Sequence, residues 1–497
     1  MATFEDIVGE PEKYGNIPLR TKFYTAADID FILKKKVGCV SELPAADESN
    51  LGTVLLLIDN QTGYNLMHLY KCILSDGSYK WKDLNSSLPC GNCTNISAMR
   101  MDGGATCAIK WNDPVVTDVS TGDYLTVDQW DHTVLVRNYE HEPTGINDGV
   151  VVVTCSIRDQ YAVIPFLDTS VDTTKEHVYY KLIPVGIGGT ENVDSANAVE
   201  ESAPTWDELH ELIQAGLAPA FLPKGSQISV QHSVYGTLKF TVKGYEDLGA
   251  ESTDPTAKIN IHDPTIQHCV VLMSTYILPG TKQFDAAETQ YGLTLDTEFQ
   301  SGKTYYISDG GTGYTAATVT VGDPVPSDTY YELNPNTSYP YGTNKWDLSG
   351  LIQWLNSTGS AGTWWTKKHA NDAKPGYADT EDGFLKGFVD SDFVGRIIDL
   401  DNVTEIATPY GGGTVTTVDK IWLPSYEQAK NSGTWGYLSN ADRKMFREGE
   451  TAAAIWLLRS PYKLVSYGVS GVNGEGSIIV GPGARFAYGV VPCLAIA

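Results

Sequence analysis

The residues best suited to chemistry in this chain are its cysteines and histidines, and their spacing argues against catalysis or metal binding. Eight cysteines are spread over 497 residues, too thinly for a disulfide scaffold. Cys90 and Cys93 form a C-x-x-C pair without the second pair or helix start that zinc and redox sites need, so we interpret it as a turn between domains. The nine histidines include no H-E-x-x-H motif. We therefore predict no metal site and no cofactor.

Charge and glycine patterns exclude further classes of function. Asp and Glu number 61 against 35 Lys and Arg, a formal charge of −26, which repels nucleic acid phosphates and anionic membranes. The glycine-rich segments 310–313 and 411–413 lack the Lys-Ser/Thr of a phosphate loop and the spacing of a dinucleotide-binding loop. The apolar runs are far shorter than the ~20 residues of a membrane helix. We expect neither nucleic acid binding nor membrane insertion.

The stretch 462–488 has a different composition from the rest of the chain. It combines tyrosines, serines, an asparagine and an arginine with six glycines, and we predict it as loops between two strands. Rigid aromatic side chains among small polar residues are typical of binding surfaces. Tyrosines also commonly cover the edge of a core. The residues alone leave both interpretations open.

Turn and strand signals divide the preceding chain. Residues 1–35 contain a short predicted helix capped by Thr25, which we interpret as an attachment segment. Residues 36–93 predict a small β module with a hairpin turn at Asp76-Gly77. Residues 94–200 contain strand candidates typical of a β-sandwich similar to fibronectin type III. A linker poor in large apolar residues ends near residue 203.

Residues 203–497 mix helix and strand signals, with a β-rich insertion at about 290–335. Thr205 and Glu208 fit a capping box, and so do Ser425 and Gln428 after the short strand IWLP. Asp347 precedes leucines and isoleucine at helical spacing. The predicted fold class is therefore multidomain and β-rich: a small β module and a β-sandwich, followed by an α+β domain.

Several short segments of the last domain, taken in their order along the chain, together carry a family resemblance. They are Thr205 to Gly216, Asn344-Lys345-Trp346, Trp354-Leu355-Asn356, Gly383 to Gly387, Gly411 to Gly413, Trp456 to Tyr462 and Gly489 to Pro492. From about Thr205 to Ala497 the chain resembles a family of unknown-function domains found in phages and prophages of Gram-positive gut bacteria. The preceding sandwich also resembles modules that stand before this domain in such phage proteins.

This family resembles the C-type-lectin-like fold, which formylglycine-generating enzymes share with phage receptor-binding proteins. The resemblance implies a structural framework of Trp346, Trp354, Trp456, Arg459, Pro461 and Pro492. It implies a ligand-facing surface, and we predict its binding residues as Tyr462, Tyr467, Asn473, Arg485 and Tyr488. Formylglycine-generating enzymes work through cysteines near the end of this fold. Cys493, however, lies in an apolar terminal strand, so we expect a buried structural thiol.

The implied function is that of a bacteriophage virion structural protein, a tail or head fibre or appendage, and not of an enzyme. The N-terminal region would attach to other virion proteins, and the last domain would bind a glycan or protein receptor on the bacterial surface. By analogy with phage appendages we expect a homotrimer on the virion, made in the host bacterial cytoplasm. Two alternatives stay open: a decoration or assembly protein without host contact, and a glycan-degrading enzyme.

Overall fold

The computed structural model describes residues 38–51, 53–57, 61, 62, 64, 69–75, 78–83, 90–115, 130–186, 189–311, 313–334, 341–430, 435–437 and 439–497. These residues form a β-rich, multidomain protein with several separate sheets. The chain divides between Ala203 and Pro204 into two compact units, which is where the sequence predicts the linker to end. Every helix in these ranges is too short or too polar to span a bilayer. The predicted attachment segment 1–35 and the predicted turn Asp76-Gly77 lie outside the described residues.

Apart from 3-10 helices at Glu48–Asn50 and Ser195–Asn197, the regular elements of the first unit are strands in its described part. They are β1 (Gly38–Val40), β2 (Val54–Leu57), β3 (Leu69–Ser75), β4 (Ser78–Asp83), β5 (Thr94–Arg100), β6 (Cys107–Asn112), β7 (Trp130–Asn138), β8 (Val150–Cys155), β9 (Phe166–Asp168), β10 (Tyr179–Gly186) and β11 (Ala198–Glu200). Strands β1 to β4 form one sheet in chain order. This sheet has a hydrophobic cluster of its own around Leu57, Tyr70 and Cys72.

The other strands of the first unit form two sheets, ordered β5-β6-β9 and β11-β10-β7-β8. Side chains from both sheets, including Trp111 and Tyr180, pack into one hydrophobic cluster. Asp168 on β9 accepts hydrogen bonds from Arg137 on β7, at 2.5 Å, and from the Tyr180 hydroxyl on β10, at 2.9 Å. A buried charge is tolerated only when it is paired and hydrogen-bonded in this way. The network therefore fixes one sheet against the other.

The second unit mixes short helices with strands. Its elements are α1 (Trp206–Gln214), α2 (Ala218–Phe221), β12 (Gln227–His232), β13 (Gly236–Tyr245), β14 (Val270–Ser274), β15 (Lys282–Gln283), β16 (Tyr291–Leu293), β17 (Tyr305–Ser308), β18 (Tyr314–Ala316), β19 (Tyr331–Leu333), α3 (Gly350–Leu355), α4 (Ser391–Arg396), β20 (Leu400–Glu405), β21 (Thr414–Asp419), β22 (Ile421–Trp422), α5 (Tyr426–Ala429), β23 (Trp456–Pro461), β24 (Gly468–Val472), β25 (Ile478–Gly483), β26 (Ala487–Tyr488) and β27 (Cys493–Ile496).

The main sheet of this unit has the order β12-β13-β14-β27-β22. Strands β14 and β27 are buried along their whole length, so the sheet is covered on both faces and the C-terminal strand belongs to the core. Strands β16 to β19 form a separate sheet, ordered β16-β19-β17-β18, in the region where the sequence predicts a β-rich insertion.

Helix starts in this unit follow local side-chain chemistry. Both predicted capping boxes are confirmed: Thr205 with Glu208 begins α1, and Ser425 with Gln428 begins α5. The helix that the spacing behind Asp347 predicts begins later, at Gly350. The chain makes a 3-10 turn through Asp347 and extends again at Ser349, whose hydroxyl accepts the Ile352 N–H and caps α3.

The predicted loops of the stretch 462–488 are also wrong in part. Residues 468–472 and 478–483 are β24 and β25, which complete a sheet of the order β23-β24-β25. The β-branched residues of this stretch, such as Val469 and Ile479, favour strands, and its six glycines obscured that preference in the sequence.

The start of β23 anchors this three-stranded sheet in the core. Trp456 is fully buried, and its indole N–H donates to the Arg443 carbonyl oxygen at 3.2 Å. We predict that Trp456→Ala lowers the free energy of unfolding by about 3–5 kcal/mol, because removing a buried large aromatic leaves a cavity. Leu464→Ala is the matched control, since this side chain is exposed and should change stability by less than about 0.5 kcal/mol. Urea denaturation of both variants provides the measurement, and equal stabilities would contradict the prediction.

Candidate recognition surface and buried acidic cluster

One buried guanidinium on β23 joins several segments of the second unit through hydrogen bonds. Arg459 is fully buried and donates five hydrogen bonds. The acceptors are Thr404 Oγ1, at 3.1 Å, Gln428 Oε1, at 2.7 Å, and the carbonyl oxygens of Leu423, at 2.7 Å, Thr256, at 3.1 Å, and Val403, at 3.4 Å. Burial lowers the pKa of Arg459 to about 10, and the nearby Asp419 carboxylate opposes this shift. The side chain is therefore still a cation at neutral pH, held by neutral acceptors.

The segment from Thr343 to Gly350 connects this interior to the end of the three-stranded sheet. The Asn344 side-chain amide donates to the carbonyl oxygens of Val465 and Gly468, both at 2.7 Å. The indole N–H of Trp346 donates to Asp419 Oδ2 at 3.0 Å. Burial raises the pKa of Asp419, while this bond and others to the carboxylate lower it. The segment thus positions the residues around Tyr462 and Tyr467 through backbone contacts.

Other members of the predicted framework also lie in the interior. Trp346 and Trp354 are buried, and the Trp354 indole donates to the Asp382 carbonyl oxygen at 3.0 Å. Pro461 ends β23 and Pro492 immediately precedes β27, and both are buried.

The five predicted binding residues are half-buried and lie in different places. Tyr462, Tyr467 and Arg485 lie at one end of the β23-β24-β25 sheet, where Gly468 pairs with Gly483. Asn473 lies at the opposite end, where its side-chain oxygen accepts the N–H groups of Glu475, at 3.1 Å, and Ser477, at 2.9 Å, and so shapes the turn. Tyr488 belongs to β26, which pairs with β15 instead.

An aromatic and cationic stack forms the surface at the first of these ends. The rings of Tyr341 and Tyr467 stack with centroids 4.7 Å apart. The Arg485 guanidinium lies over the Tyr341 ring at 4.5 Å and over the Phe486 ring at 4.8 Å. We call these four residues the aromatic surface. Tyr341 and Phe486 were missed in the sequence, Tyr341 because more than a hundred residues separate it from its partners.

A cleft of about 290 Å³ lies beside Tyr462. Its walls include the rings of Tyr426 and Tyr462 and the carboxylates of Glu405 and Glu427. Lys463 pairs with Glu405 at 2.6 Å, and this pairing raises the pKa of the lysine. Aromatic faces beside hydrogen-bonding charged groups are features of a small-ligand site.

Beneath the aromatic surface, four ionisable side chains converge, and we call them the buried acidic cluster: Asp285, Glu288, His369 and Asp372. One ligand atom each of Asp285, His369 and Asp372 lies within 4.8 Å of the others. His369 Nε2 lies 3.4 Å from Glu288 Oε1 and 4.0 Å from Asp372 Oδ1. These three atoms are buried without a hydrogen-bond partner among the described residues. The arrangement offers three carboxylates and one imidazole to a cation.

Burial dominates the electrostatics of this cluster. Loss of hydration raises the pKa of Asp285 well above its usual range, that of Glu288 to about 7 and that of Asp372 to about 6. Repulsion from Asp372 adds to the shift at the other two carboxyls. Burial lowers the pKa of His369 to about 4, and the charges of Lys367 and Lys345 lower it further. The imidazole is therefore neutral at physiological pH.

Backbone hydrogen bonds and one close backbone contact hold the buried acidic cluster together and connect it to the aromatic surface. Asp285 accepts the N–H groups of Thr343, at 3.0 Å, and Gly350, at 3.1 Å, and its own N–H donates to the Ala484 carbonyl oxygen at 3.1 Å. A Cβ at Gly292 would lie 1.5 Å from the Ala370 carbonyl oxygen, so only glycine lets β16 approach the loop that carries His369. No motif indicates the cluster, because its two halves are far apart in the chain.

The cysteines are buried wherever the structure describes their side chains, and those of Cys72, Cys93, Cys107, Cys155, Cys269 and Cys493 are free thiols. Burial raises the pKa of the Cys493 thiol to about 12. The reactive thiolate is therefore scarce at this position at neutral pH.

Comparison with known proteins gives one finding about the family. Residues 325–497 match the model of a family described as a domain of unknown function (DUF6273). The match begins later than Thr205, where the sequence resemblance starts. It covers every predicted framework and binding residue, together with His369 and Asp372, and it starts after Asp285 and Glu288. A search of curated proteins found no match to the chain.

The geometry around Arg459 leads to a stability prediction. We expect Arg459→Lys to lower the free energy of unfolding by about 3 kcal/mol or more, because an ammonium cannot serve five acceptors at once and several are left buried and unpaired. The control is Arg447→Lys, at a partly exposed position that pairs with Glu450 at 3.5 Å, where surface pairing contributes at most about 1 kcal/mol. Thermal and urea unfolding measure both. Similar losses in the two variants would contradict the assigned role.

Proposed function

We propose that the chain is a non-enzymatic structural protein of a bacteriophage particle, and that its second unit binds a receptor on the bacterial surface. The aromatic surface carries the proposal. Tyrosine and arginine are the residues that most often dominate binding energy at protein interfaces. Here they flank the ends of β24 and β25, and the cleft beside Tyr462 is lined in part by residues of the same sheet, which suits recognition of a glycan or an extended protein segment.

The proposal includes two finer assignments of fold. The second unit would have the C-type-lectin-like fold, and a C-terminal strand that pairs on both sides within the main sheet supports this. Residues 94–200 would form a fibronectin type III-like module, and the division into sheets of three and four antiparallel strands supports this. In this scheme the first unit is a stalk, and residues 1–35 attach it to other virion proteins.

A glycan-degrading enzyme is a second candidate because two carboxylates, Glu405 and Glu427, line the same cleft as Tyr462. Paired carboxylates on either side of a bond are the usual machinery of glycoside hydrolysis. The distinguishing experiment incubates the protein with cell-wall glycan and measures released reducing ends. Cleavage that disappears in Glu427→Gln would replace the non-enzymatic proposal.

Cell attachment tests the recognition surface. Alanine substitution of Tyr462, Tyr467, Arg485 or Tyr488 should weaken attachment of the labelled protein by roughly 30-fold, because losing a hot-spot residue costs about 2 kcal/mol of binding. Melting temperatures should stay near that of the wild type. Asn473→Ala should instead lower stability by about 1 kcal/mol, because its side chain holds a turn.

The control for this series is Val389→Ala, an exposed apolar position elsewhere in the same unit. Attachment is measured by flow cytometry on a panel of Gram-positive gut bacteria, and melting by fluorescence on the same samples. Attachment that merely follows the folded fraction would place the binding surface elsewhere. Wild-type protein that attaches to no strain would favour the decoration or assembly role.

The proposed virion role also predicts a homotrimer. Small β modules with exposed sheet edges gain stability from association. Light scattering on the full chain at micromolar concentration should give three times the mass of one chain. A monomer with an intact N-terminus would count against this assembly.

A further inference from the structure

The buried acidic cluster has a composition that a folded protein does not tolerate without compensation. Asp285, Glu288 and Asp372 are each at most 7 % exposed, and none of them forms an ion pair with a lysine or arginine among the described residues. Buried carboxylates are normally neutralised by protons, paired with cations or bound to metal ions. Within this part of the chain, protons or a bound cation are the means available.

The unpaired atoms identify where a cation would sit. Glu288 Oε1 and Asp372 Oδ1 belong to side chains that are 1 % and 0 % exposed, and both lack a hydrogen-bond partner among the described residues. His369 Nε2 lies between them and also lacks a partner there. Two carboxylate oxygens within 4.0 Å of one ring nitrogen, all three without a partner in the described part of the chain, form a poor hydrogen-bond network and a suitable set of metal ligands.

We propose that Asp285, Glu288, His369 and Asp372 bind one divalent transition-metal ion, with Zn²⁺ as the best fit. Two ligands of a tetrahedral zinc ion, with bonds of about 2.0–2.1 Å, lie about 3.4 Å apart. The separation between His369 Nε2 and Glu288 Oε1 is 3.4 Å, and the wider spacing to Asp372 Oδ1, 4.0 Å, closes with a small movement. Asp285, His369 and Asp372 supply three ligand atoms that lie within 4.8 Å of one another, and Glu288, whose Oε1 lies 3.4 Å from the imidazole nitrogen, is placed to supply the fourth.

The imidazole among the ligands indicates which class of metal ion the site would prefer. Calcium and magnesium prefer all-oxygen sites, whereas imidazole with carboxylates suits zinc, iron and manganese. The His369 side chain is 23 % exposed, which leaves a path for an ion to enter. Asp285 accepts two backbone N–H groups, and such outer bonds orient a metal ligand.

Zinc at this position would fix the segment beneath the aromatic surface. Asp285 is bonded to Thr343, two residues after Tyr341, and to Ala484, which directly precedes Arg485. The inference concerns cation binding alone and stands whether or not the protein binds a host cell.

Calorimetry and metal analysis on the full chain test the proposal. After removal of metals with EDTA, titration with ZnCl₂ should show one zinc ion per chain with sub-micromolar affinity, and CaCl₂ or MgCl₂ should give no comparable signal. Saturating zinc should raise the melting temperature by roughly 5 °C, because a ligand that binds only the folded state stabilises it. Elemental analysis of protein purified without chelator should show the same stoichiometry.

Isosteric variants separate a metal site from a merely structural cluster. Glu288→Gln and Asp372→Asn should each weaken zinc binding about 100-fold or more, on the scale of losses seen when ligand shells are disrupted. In EDTA both should melt at or above the wild-type temperature, because each removes a buried like charge. A metal site therefore reverses the order of stability between EDTA and zinc.

The matched control is His262→Ala, which removes an imidazole that pairs with Asp401 at 2.8 Å on an exposed part of the same unit. Zinc binding should be unchanged in this variant. The proposal is overturned if the wild type shows neither heat of binding nor a melting shift with excess ZnCl₂. It is equally overturned if Asp372→Asn and His262→Ala bind zinc as the wild type does.

Discussion

The second unit depends on a guanidinium that is buried away from water and surrounded by oxygen atoms. Removing a cation from water costs several kcal/mol, and Arg459 recovers this through five hydrogen bonds that come from four separate segments. Those segments can serve it only in one mutual arrangement. Gln428, which accepts one of the bonds, also accepts the Ser425 N–H at the start of α5. The position of this helix is therefore coupled to that of the guanidinium.

The buried carboxyl group of Asp285 sets a second constraint on this unit. One short segment joins Asp285 to the surroundings of Arg459. Thr343 and Gly350 donate their N–H groups to Asp285, while Trp346 donates to Asp419, which lies close enough to Arg459 to favour its charge. This segment is bonded at both of its ends to the buried acidic cluster and at its middle to the carboxylate beside the cation. It also carries the Asn344 amide, which holds the end of the three-stranded sheet.

Helix caps, which depend on residues close in sequence, could be predicted from the sequence. Contacts between distant parts of the chain could not. The capping boxes at Thr205 and Ser425 depend on residues three apart, and both were found where the sequence indicated. Helix α3 begins after Ser349 and not directly after Asp347 because a 3-10 turn intervenes, which spacing does not reveal. The buried acidic cluster and the stacking of Tyr341 on Tyr467 require contacts across long stretches of chain. No periodicity or motif encodes such contacts.

The hydrogen bonds that hold the end of the β23-β24-β25 sheet are accepted by backbone oxygens. Asn344 donates to the carbonyl oxygens of Val465 and Gly468, and the Ala484 N–H donates to the carbonyl oxygen of Tyr467. These bonds are independent of which side chains stand at positions 462, 467 and 485. Exposed side chains on a scaffold fixed in this way can change while the fold persists, which is the general condition for a binding surface. Conformational uniqueness is thus secured in the interior by the hydrogen bonds of Arg459 and Asp285, and the side chains of the aromatic surface take no part in those bonds.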